Sequence, residues 1–303
     1  MTDILDVLTK NILPIFAVAG IGAILRRWMH LEKESLSRLV FYALGPCLVF
    51  SSLVNSQLSG SELTQLATFA LVAALAMGAL SLLAGRLLGF SRQERAAMVL
   101  VAMFPNSGNF GLTLNQLRYG DAGLTRAVVY FTVSTILVFT VGIFVASLGK
   151  LDGRTALRQV LKMPAFYAVL LALIVYGFHL PLPSFLARGI EIAGNGSIPV
   201  MLIVLGMQLA DLKNLSGLRL ALPAVTLRLI VAPVVATLVA LFIGLQGTDY
   251  AVSIIQASLP TAVVTTIIAT EFDVQPAGVT TAVVLSTLLS VITVTLAITL
   301  LGL

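Results

Sequence analysis

The chain has 303 residues, of which 58% are hydrophobic and only 10% are charged, and its mean hydropathy is +1.04. A soluble domain carries about 25% charged residues, so the composition excludes an ordinary soluble protein and favours a chain that lies in lipid. The net charge of +5 does not indicate a nucleic-acid partner here, because the basic residues lie between apolar segments and report membrane topology instead. A single cysteine, Cys47, excludes a disulfide framework within the chain.

Ten apolar segments follow one another along the chain, each about long enough to cross a bilayer as a helix. They cover residues 11–27, 37–55, 65–88, 95–117, 124–148, 160–178, 184–209, 218–244, 250–270 and 277–302. The first ten residues, MTDILDVLTK, hold two acids and a lysine, unlike a cleavable leader, so we expect the first segment to be retained. The sequence therefore predicts an all-α integral membrane protein with ten spans.

The loops between these spans alternate in charge. If the N-terminus lies outside, most of the 18 lysines and arginines fall in cytoplasmic loops, including the basic connection from Leu148 to Val160. The positive-inside rule then places both termini outside the cytoplasm. We expect a multi-pass protein of the plasma membrane, which in a bacterium is the inner membrane.

The two halves of the chain resemble each other. Residues 121–143, DAGLTRAVVYFTVSTILVFTVGI, align with residues 276–298, PAGVTTAVVLSTLLSVITVTLAI, at an offset of 155, which also superposes Pro105 on Pro260. Similar offsets superpose Pro46 on Pro199 and Pro14 on Pro164. Five spans per copy make the second copy inverted, as in many transporters; chance similarity between apolar helices is the alternative. The predicted units are residues 1–148, a short cytoplasmic connection at 149–163, and residues 164–303.

Two of the aligned prolines, Pro105 and Pro260, lie near the middle of the fourth and ninth spans, where proline interrupts a helix. Unwound backbone at membrane depth is tolerated only where it is buried in protein or lines a watery cavity, so we expect both breaks to meet at a central site. Each break starts a half-helix whose free N–H groups suit an anion. The predicted substrate-binding residues at the breaks are Asn106, Ser107, Gly108, Asn109, Ser258, Thr261 and Thr265.

Ionisable residues inside the spans are few, and each is a candidate functional residue. Arg228, near the middle of the eighth span, either attracts the substrate directly or donates to the free carbonyls of a broken helix. Glu191, early in the seventh span, is a candidate for coupling or gating, although it also has Arg188 nearby as a partner.

Four stretches carry a resemblance to the auxin efflux carrier family, which includes the plant PIN proteins and malonate and malate permeases. These stretches are PNSGNFGLTL (105–114), IPVMLIVLGMQL (198–209), RLIVAP (228–233), and LPTAVVTTIIATEF (259–272) with AVVLSTLLSVIT (282–293). The chain resembles a bacterial member of this family over essentially its whole length. The PIN proteins carry an acidic residue in the third span, whereas residues 65–88 contain none, and this departure weakens the carry-over of a proton-linked support site.

The resemblance implies a ten-helix fold akin to bile-acid symporters and sodium/proton antiporters, assembled as a homodimer. It implies a scaffold of spans 1, 2, 6 and 7, with Pro46, Asn195 and Pro199 on the scaffold side of the site. Spans 3–5 and 8–10 would then form a transport domain that moves like an elevator.

Protease, nucleotide-binding and metal-ligand motifs are not found in the sequence, so we expect neither an enzyme nor a cofactor. The preferred hypothesis is a secondary transporter of small organic anions, chiefly carboxylates, that works by alternating access. Proton or sodium coupling stays open, as do an ion-coupled transporter of another small solute and a channel or receptor on the same fold.

Overall fold

The computed structural model describes residues 4–147, 161–211 and 215–303. The predicted connection at 149–163 lies outside the described residues except for its last three positions. Twelve helices are numbered here in chain order: α1 (Ile4–Met29), α2 (Lys33–Val54), α3 (Gly60–Leu87), α4 (Arg92–Met103), α5 (107–119), α6 (121–146), α7 (Pro164–Gly177), α8 (Ser184–Ala210), α9 (Leu218–Ile243), α10 (Gly247–Ser258), α11 (Val264–Glu271) and α12 (Pro276–Leu301).

The helices follow the predicted apolar segments closely, and the largest error is at the start of α1, which begins at residue 4 instead of 11. Within the described residues, seven helices are long and apolar enough to cross a membrane. One of these, Ser107–Ala146, comprises α5 and α6, which are separated at Gly120 (φ 62°). The all-α membrane fold is thus confirmed. The count of ten crossings stays a prediction, because it also requires α4, α10, α11 and the 14-residue α7 to lie within the bilayer.

Three long helices widen into a π-turn shortly before a proline. The π-turns Leu8–Ile12, Val40–Leu44 and Leu227–Val231 each end two residues before Pro14, Pro46 and Pro233, respectively. A proline removes one backbone donor and its ring collides with the carbonyl four residues earlier, so the helix accommodates it by a local change of pitch. These prolines therefore distort α1, α2 and α9 without ending them.

Helices α1 and α8 cross at close range, because glycine occupies both sides of the crossing. A Cβ atom on Gly206 would collide with the carbonyl oxygen of Ala19, and one on Gly22 would collide with that of Ile203. Small residues let membrane helices approach in this way. Helix α8 also packs on α2, which in turn packs on α7.

Polar contacts define the two ends of the bundle. At one end, Asp211, directly after α8, accepts hydrogen bonds from Arg26 Nε (2.6 Å) and Lys33 Nζ (2.5 Å). We call this the Asp211 end. At the opposite end, the Arg118 guanidinium donates to Asn11 Oδ1 (3.2 Å) and to the carbonyl oxygen of Leu303. We call this the Arg118 end.

Candidate functional site at the crossing of two broken helices

The two helix breaks lie against each other in the middle of the bundle. Residues 104–106 separate α4 from α5, and residues 259–263 separate α10 from α11. Pro105 and Thr261 form an antiparallel bridge, in which Asn106 N donates to Pro260 O (2.7 Å) and Ala262 N donates to Phe104 O (2.9 Å). The predicted meeting of the two breaks is therefore present.

This pairing satisfies backbone groups that the prolines leave free. Unpaired carbonyls and amides are costly away from water, and each break supplies partners for the other. Thr261 extends the exchange, since its hydroxyl donates to Val101 O (3.0 Å) in the last turn of α4, and its amide donates to Ser286 Oγ (3.1 Å) on α12. Thr261 thus fixes the second break to two neighbouring helices.

A cavity of about 250 Å³ extends from the crossing towards the Asp211 end, and we call it the break cavity. Its polar wall combines the first break with neighbours on α6 and α8: Pro105, Asn106, Ser107, Gly108, Asn109, Ser134, Thr135 and Gln208. Its other walls are mainly apolar, with Phe41 from α2, Phe131 and Phe139 from α6, and Met201 from α8. None of the described residues that line it is charged.

The start of α5 supplies most of the hydrogen-bonding capacity of the break cavity. Asn106 precedes the helix, and its side chain makes no capping hydrogen bond. Asn106 is 5% exposed, and its Nδ2 atom is buried with no hydrogen-bond partner among the described residues. The following turn is a π-turn that Gly111 N closes on Asn106 O (3.1 Å). The first amide of α5, Ser107 N, donates to Pro105 O (2.8 Å). The amides that follow it at a helix start lack a preceding turn to bond to, so this end of α5 can accept an anion.

The predicted residues from the second break lie at the crossing but outside this cavity. Ser258 and Thr265 are buried, and their hydroxyls donate to the backbone at Ile254 O and Ala262 O, each at 2.7 Å. The second break lines the cavity instead through Ala262, Val263 and Val264. The hydroxyls of Ser258, Thr261 and Thr265 therefore bond to backbone around the second break, and of the two breaks it is the first that contributes polar side chains to the cavity.

Arg228 lies in the π-turn of α9 and is 1% exposed. Its Nη1 atom donates to Ala102 O (2.8 Å), a carbonyl in the last turn of α4, and its Nε atom has no partner among the described residues. Arg228 does not line the break cavity. Of the two roles considered from the sequence, this geometry favours the structural one, because the cation lies at the carbonyl end of a broken helix, which carries partial negative charge.

Of the three scaffold-side residues, two line cavities and one does not. Pro46 lines the break cavity. Asn195 and Glu191 line a second cavity of about 820 Å³ at the Arg118 end, together with Asp121 and Arg126, and we call it the polar chamber. Glu191 also pairs with Arg188 (3.5 Å) at the surface. Pro199 is exposed within α8 and lines neither cavity.

Sequence reasoning missed Gln256 on α10. This side chain is fully buried, and its Nε2 atom donates to Ser107 O (3.3 Å) and Ala127 O (3.2 Å), so it ties the first turn of α5 to α6. Gly111 provides the room, since a Cβ there would collide with Gln256 Oε1. A buried glutamine in an apolar span is an expensive residue, and that signal was available from the sequence.

Sequence reasoning also missed the polar residues that α6 and α8 contribute to the break cavity. Ser134, Thr135 and Gln208 lie far from both breaks in the chain, and only the folding of α6 and α8 onto the crossing brings them there. Within the described residues, no group of three or more His, Cys, Asp or Glu side chains is placed to hold a metal ion.

Comparison with known proteins identifies the family. A family profile described as "Membrane transport protein" matches residues 7–298. An uncharacterized transporter of Methanothermobacter thermautotrophicus is 26% identical over 296 residues, covering 95% of this chain and 96% of that protein. An uncharacterized transporter of Methanocaldococcus jannaschii is 23% identical over 273 residues, covering 88% of each chain.

Auxin efflux carrier component 3 of Arabidopsis thaliana is 29% identical over 139 residues, which cover 44% of this chain and 22% of that protein. These similarities agree with the all-helical membrane fold. The chain is a multi-pass membrane protein and belongs to the family of membrane transport proteins that includes the auxin efflux carriers.

Proposed function

We propose that this transporter carries small organic anions, chiefly carboxylates, by alternating access through the break cavity. The observation that supports this most is the Nδ2 donor of Asn106, which has no partner among the described residues and directly precedes the first turn of α5. No described residue that lines this cavity is charged, so the charge of a bound carboxylate would be balanced by hydrogen bonds alone. A carboxylate accepts hydrogen bonds from N–H donors, and hydrogen bonds to a charged group are stronger than those between neutral groups.

The size and walls of the cavity narrow the substrate class. A volume of about 250 Å³ accommodates a small molecule but no polymer. The aromatic and aliphatic walls suit an apolar body, while the carboxylate lies at the start of α5. Gln208 Oε1 on α8 is buried without a partner in the described part of the chain, so it offers an acceptor to a hydroxyl or N–H group of the substrate.

The positions of the two cavities support alternating access. The break cavity extends towards the Asp211 end, and the polar chamber lies at the Arg118 end. Both lie between α2 and α8 on one side and α5 and α6 on the other. In the proposed cycle, α1, α2, α7 and α8 form the scaffold of a homodimer, and the remaining helices carry the site past it as an elevator.

We also propose that the Asp211 end is cytoplasmic and both termini are outside. This end holds Arg26, Arg86, Arg92, Arg95 and Lys33, as the positive-inside rule requires. In a Cys47→Ser background, a single cysteine at residue 155, which lies outside the described residues, should react with impermeant reagents only from the cytoplasmic side. Labelling only from the periplasmic side would overturn this orientation.

A thermal-shift screen on the purified protein tests the proposed substrate class. Malonate, malate, benzoate and the auxin indole-3-acetate are the probes, each with and without sodium and at two pH values. A ligand that binds only the native state stabilises the protein by about 2.7 kcal/mol when its free concentration is 100 times its Kd. At least one carboxylate should raise the melting temperature, whereas its amide analogue should not. Equal shifts by acid and amide would contradict anion recognition.

A further inference from the structure

A groove of about 290 Å³ lies at the Asp211 end between α3, α4 and α6, away from the break cavity. Three arginines line it, Arg86 from the last turn of α3 and Arg92 and Arg95 from the start of α4. Its remaining walls are mostly apolar: Leu82, Ala96, Phe144 and Val145. The groove thus joins cationic groups to an apolar wall, and the proposed transport cycle does not use it.

Local structure accounts for the convergence of these arginines. Only residues 88–91 connect α3 to α4, so the two helix ends lie side by side. At Gly85 a Cβ atom would lie 2.9 Å from Arg95 Cγ. The missing side chain therefore lets the stem of Arg95 pass across α3, which brings its guanidinium towards the groove beside Arg86.

Among the described residues, no acid lines the groove. Glu94, the nearest acid along α4, accepts a hydrogen bond from Ser91 N (2.8 Å) in a capping box and lies outside it. Arg86 and Arg95 form no ion pair with a carboxylate of the described residues. Arg86 and Arg95 thus leave positive charge in the groove that an anion would compensate.

The depth of the groove decides the kind of anion. Arg86 ends a helix long enough to span the bilayer, so its guanidinium lies at the level of the lipid headgroups. Phe144 on the groove wall is 49% exposed, and Leu83 and Leu87 on α3 are also exposed, as expected of side chains that face acyl chains. Basic pockets between membrane helices at the cytoplasmic side recognise anionic headgroups.

We propose that this groove binds the phosphodiester headgroup of an anionic phospholipid, with the guanidinium groups of Arg86 and Arg95 on the phosphate. An acyl chain then lies along Leu82 and Phe144. All three helices belong to the proposed transport domain, so the lipid contacts the part of the molecule that moves.

The test measures lipid affinity of the purified, delipidated protein by native mass spectrometry, with phosphatidylglycerol as the probe and phosphatidylcholine for comparison. Phosphatidylglycerol should be retained in preference to phosphatidylcholine. The double variant Arg86→Gln/Arg95→Gln should weaken its binding about 10- to 30-fold, since each basic residue near the membrane surface strengthens the binding of an anionic lipid by roughly fivefold. The double variant Arg86→Lys/Arg95→Lys, which keeps the charge, should bind within a few-fold of the parent and checks that the fold survives.

Arg27→Gln/Arg38→Gln is the matched control, because it removes the same charge from positions at the same end that do not line the groove. Its phosphatidylglycerol affinity should equal that of the parent. Equal weakening by both double variants would overturn the proposal in favour of a diffuse attraction. Equally strong binding of glycerol 1-phosphate, unaffected by Phe144→Ala, would also overturn it, because the ligand would then be a free phosphate.

Discussion

Arg228 shows how one buried charge supports a broken helix. It is among the largest fully buried side chains, and no described carboxylate pairs with it. Its Nη1 atom donates to Ala102 O, a carbonyl in the last turn of α4, just before the break at Pro105. The hydrogen bond gives this carbonyl a partner where the helix ends. We propose that Arg228 in this position stabilises the broken helix without contacting a ligand.

We therefore expect Arg228→Ala to act on stability. Loss of a hydrogen bond to a charged group costs about 1.5 to 3 kcal/mol, so the melting temperature should fall. The carboxylate affinity of the remaining folded protein should stay within a few-fold of the parent. Thermal unfolding and ligand titration on the same preparation separate these effects. A hundredfold loss of affinity at an unchanged melting temperature would instead assign Arg228 to the substrate.

At the scale of elements, the α5–α10 packing determines where the first turn of α5 lies. Gln256 Nε2 donates hydrogen bonds to Ser107 O and Ala127 O, and the absence of a side chain at Gly111 leaves room for Gln256. The position of the first turn of α5 is thus set by a residue 149 positions away in the chain.

Gly111→Ala tests this packing. The added Cβ would collide with Gln256 and come within 2.6 Å of Leu259 Cδ1, and such overpacking costs roughly 1 to 3 kcal/mol. We expect a lower melting temperature and weaker carboxylate binding, because α5 must shift. Gly60→Ala is the control, since no atom lies within 4 Å of the place that its Cβ would occupy, and alanine favours helix over glycine. Unchanged binding in Gly111→Ala would show that α5 tolerates displacement.

Much of this element-level organisation follows from sequence periodicity and proline position. Pro105 and Pro260 mark the breaks because proline disrupts a helix wherever the chain folds. Which polar side chains face the cavity depends on helix rotation and crossing, and neither is encoded locally. Thr261 and Thr265 lie at the second break, yet their hydroxyls donate to backbone carbonyls. Gln208 and Ser134 lie on α8 and α6, far from both breaks in the chain, yet they line the cavity.

At the scale of the whole molecule, Asp211 joins α1, α2 and α8 at one end. Burial raises the pKa of Asp211, but the hydrogen bonds and charges of Arg26 and Lys33 outweigh it and hold that pKa below its ordinary value. A carboxyl whose pKa is lower in the folded state stabilises that state above the unfolded pKa, which is about 3.9. This contribution is lost as pH falls through the folded value.

Asp211→Asn should therefore lower the free energy of unfolding by about 1 kcal/mol at pH 7, and the difference from the parent should shrink below about pH 4. Thermal unfolding of both proteins across pH gives the comparison. Asp6→Asn is the control, because the Asp6–Lys10 pair is exposed (side chains 47% and 72%) and should contribute little. A difference that grows on acidification would contradict this account.

The central claim is that a carboxylate binds at the start of α5, and carboxylate affinity in Asn106 variants tests it most directly. Asn106→Ala removes a donor that has no partner among the described residues, so the melting temperature should change little while affinity falls about 10- to 100-fold, the equivalent of one charged hydrogen bond. Asn106→Asp should bind more weakly still, because it sets a negative charge against the ligand at nearly unchanged volume. Asn115→Ala is the control, because the Asn115 amide donates to Gly111 O (2.8 Å) and does not line the cavity. This variant should lower the melting temperature more than the carboxylate affinity. If Asn106→Asp binds and transports the carboxylate as well as the parent at neutral pH, the crossing is not the binding site.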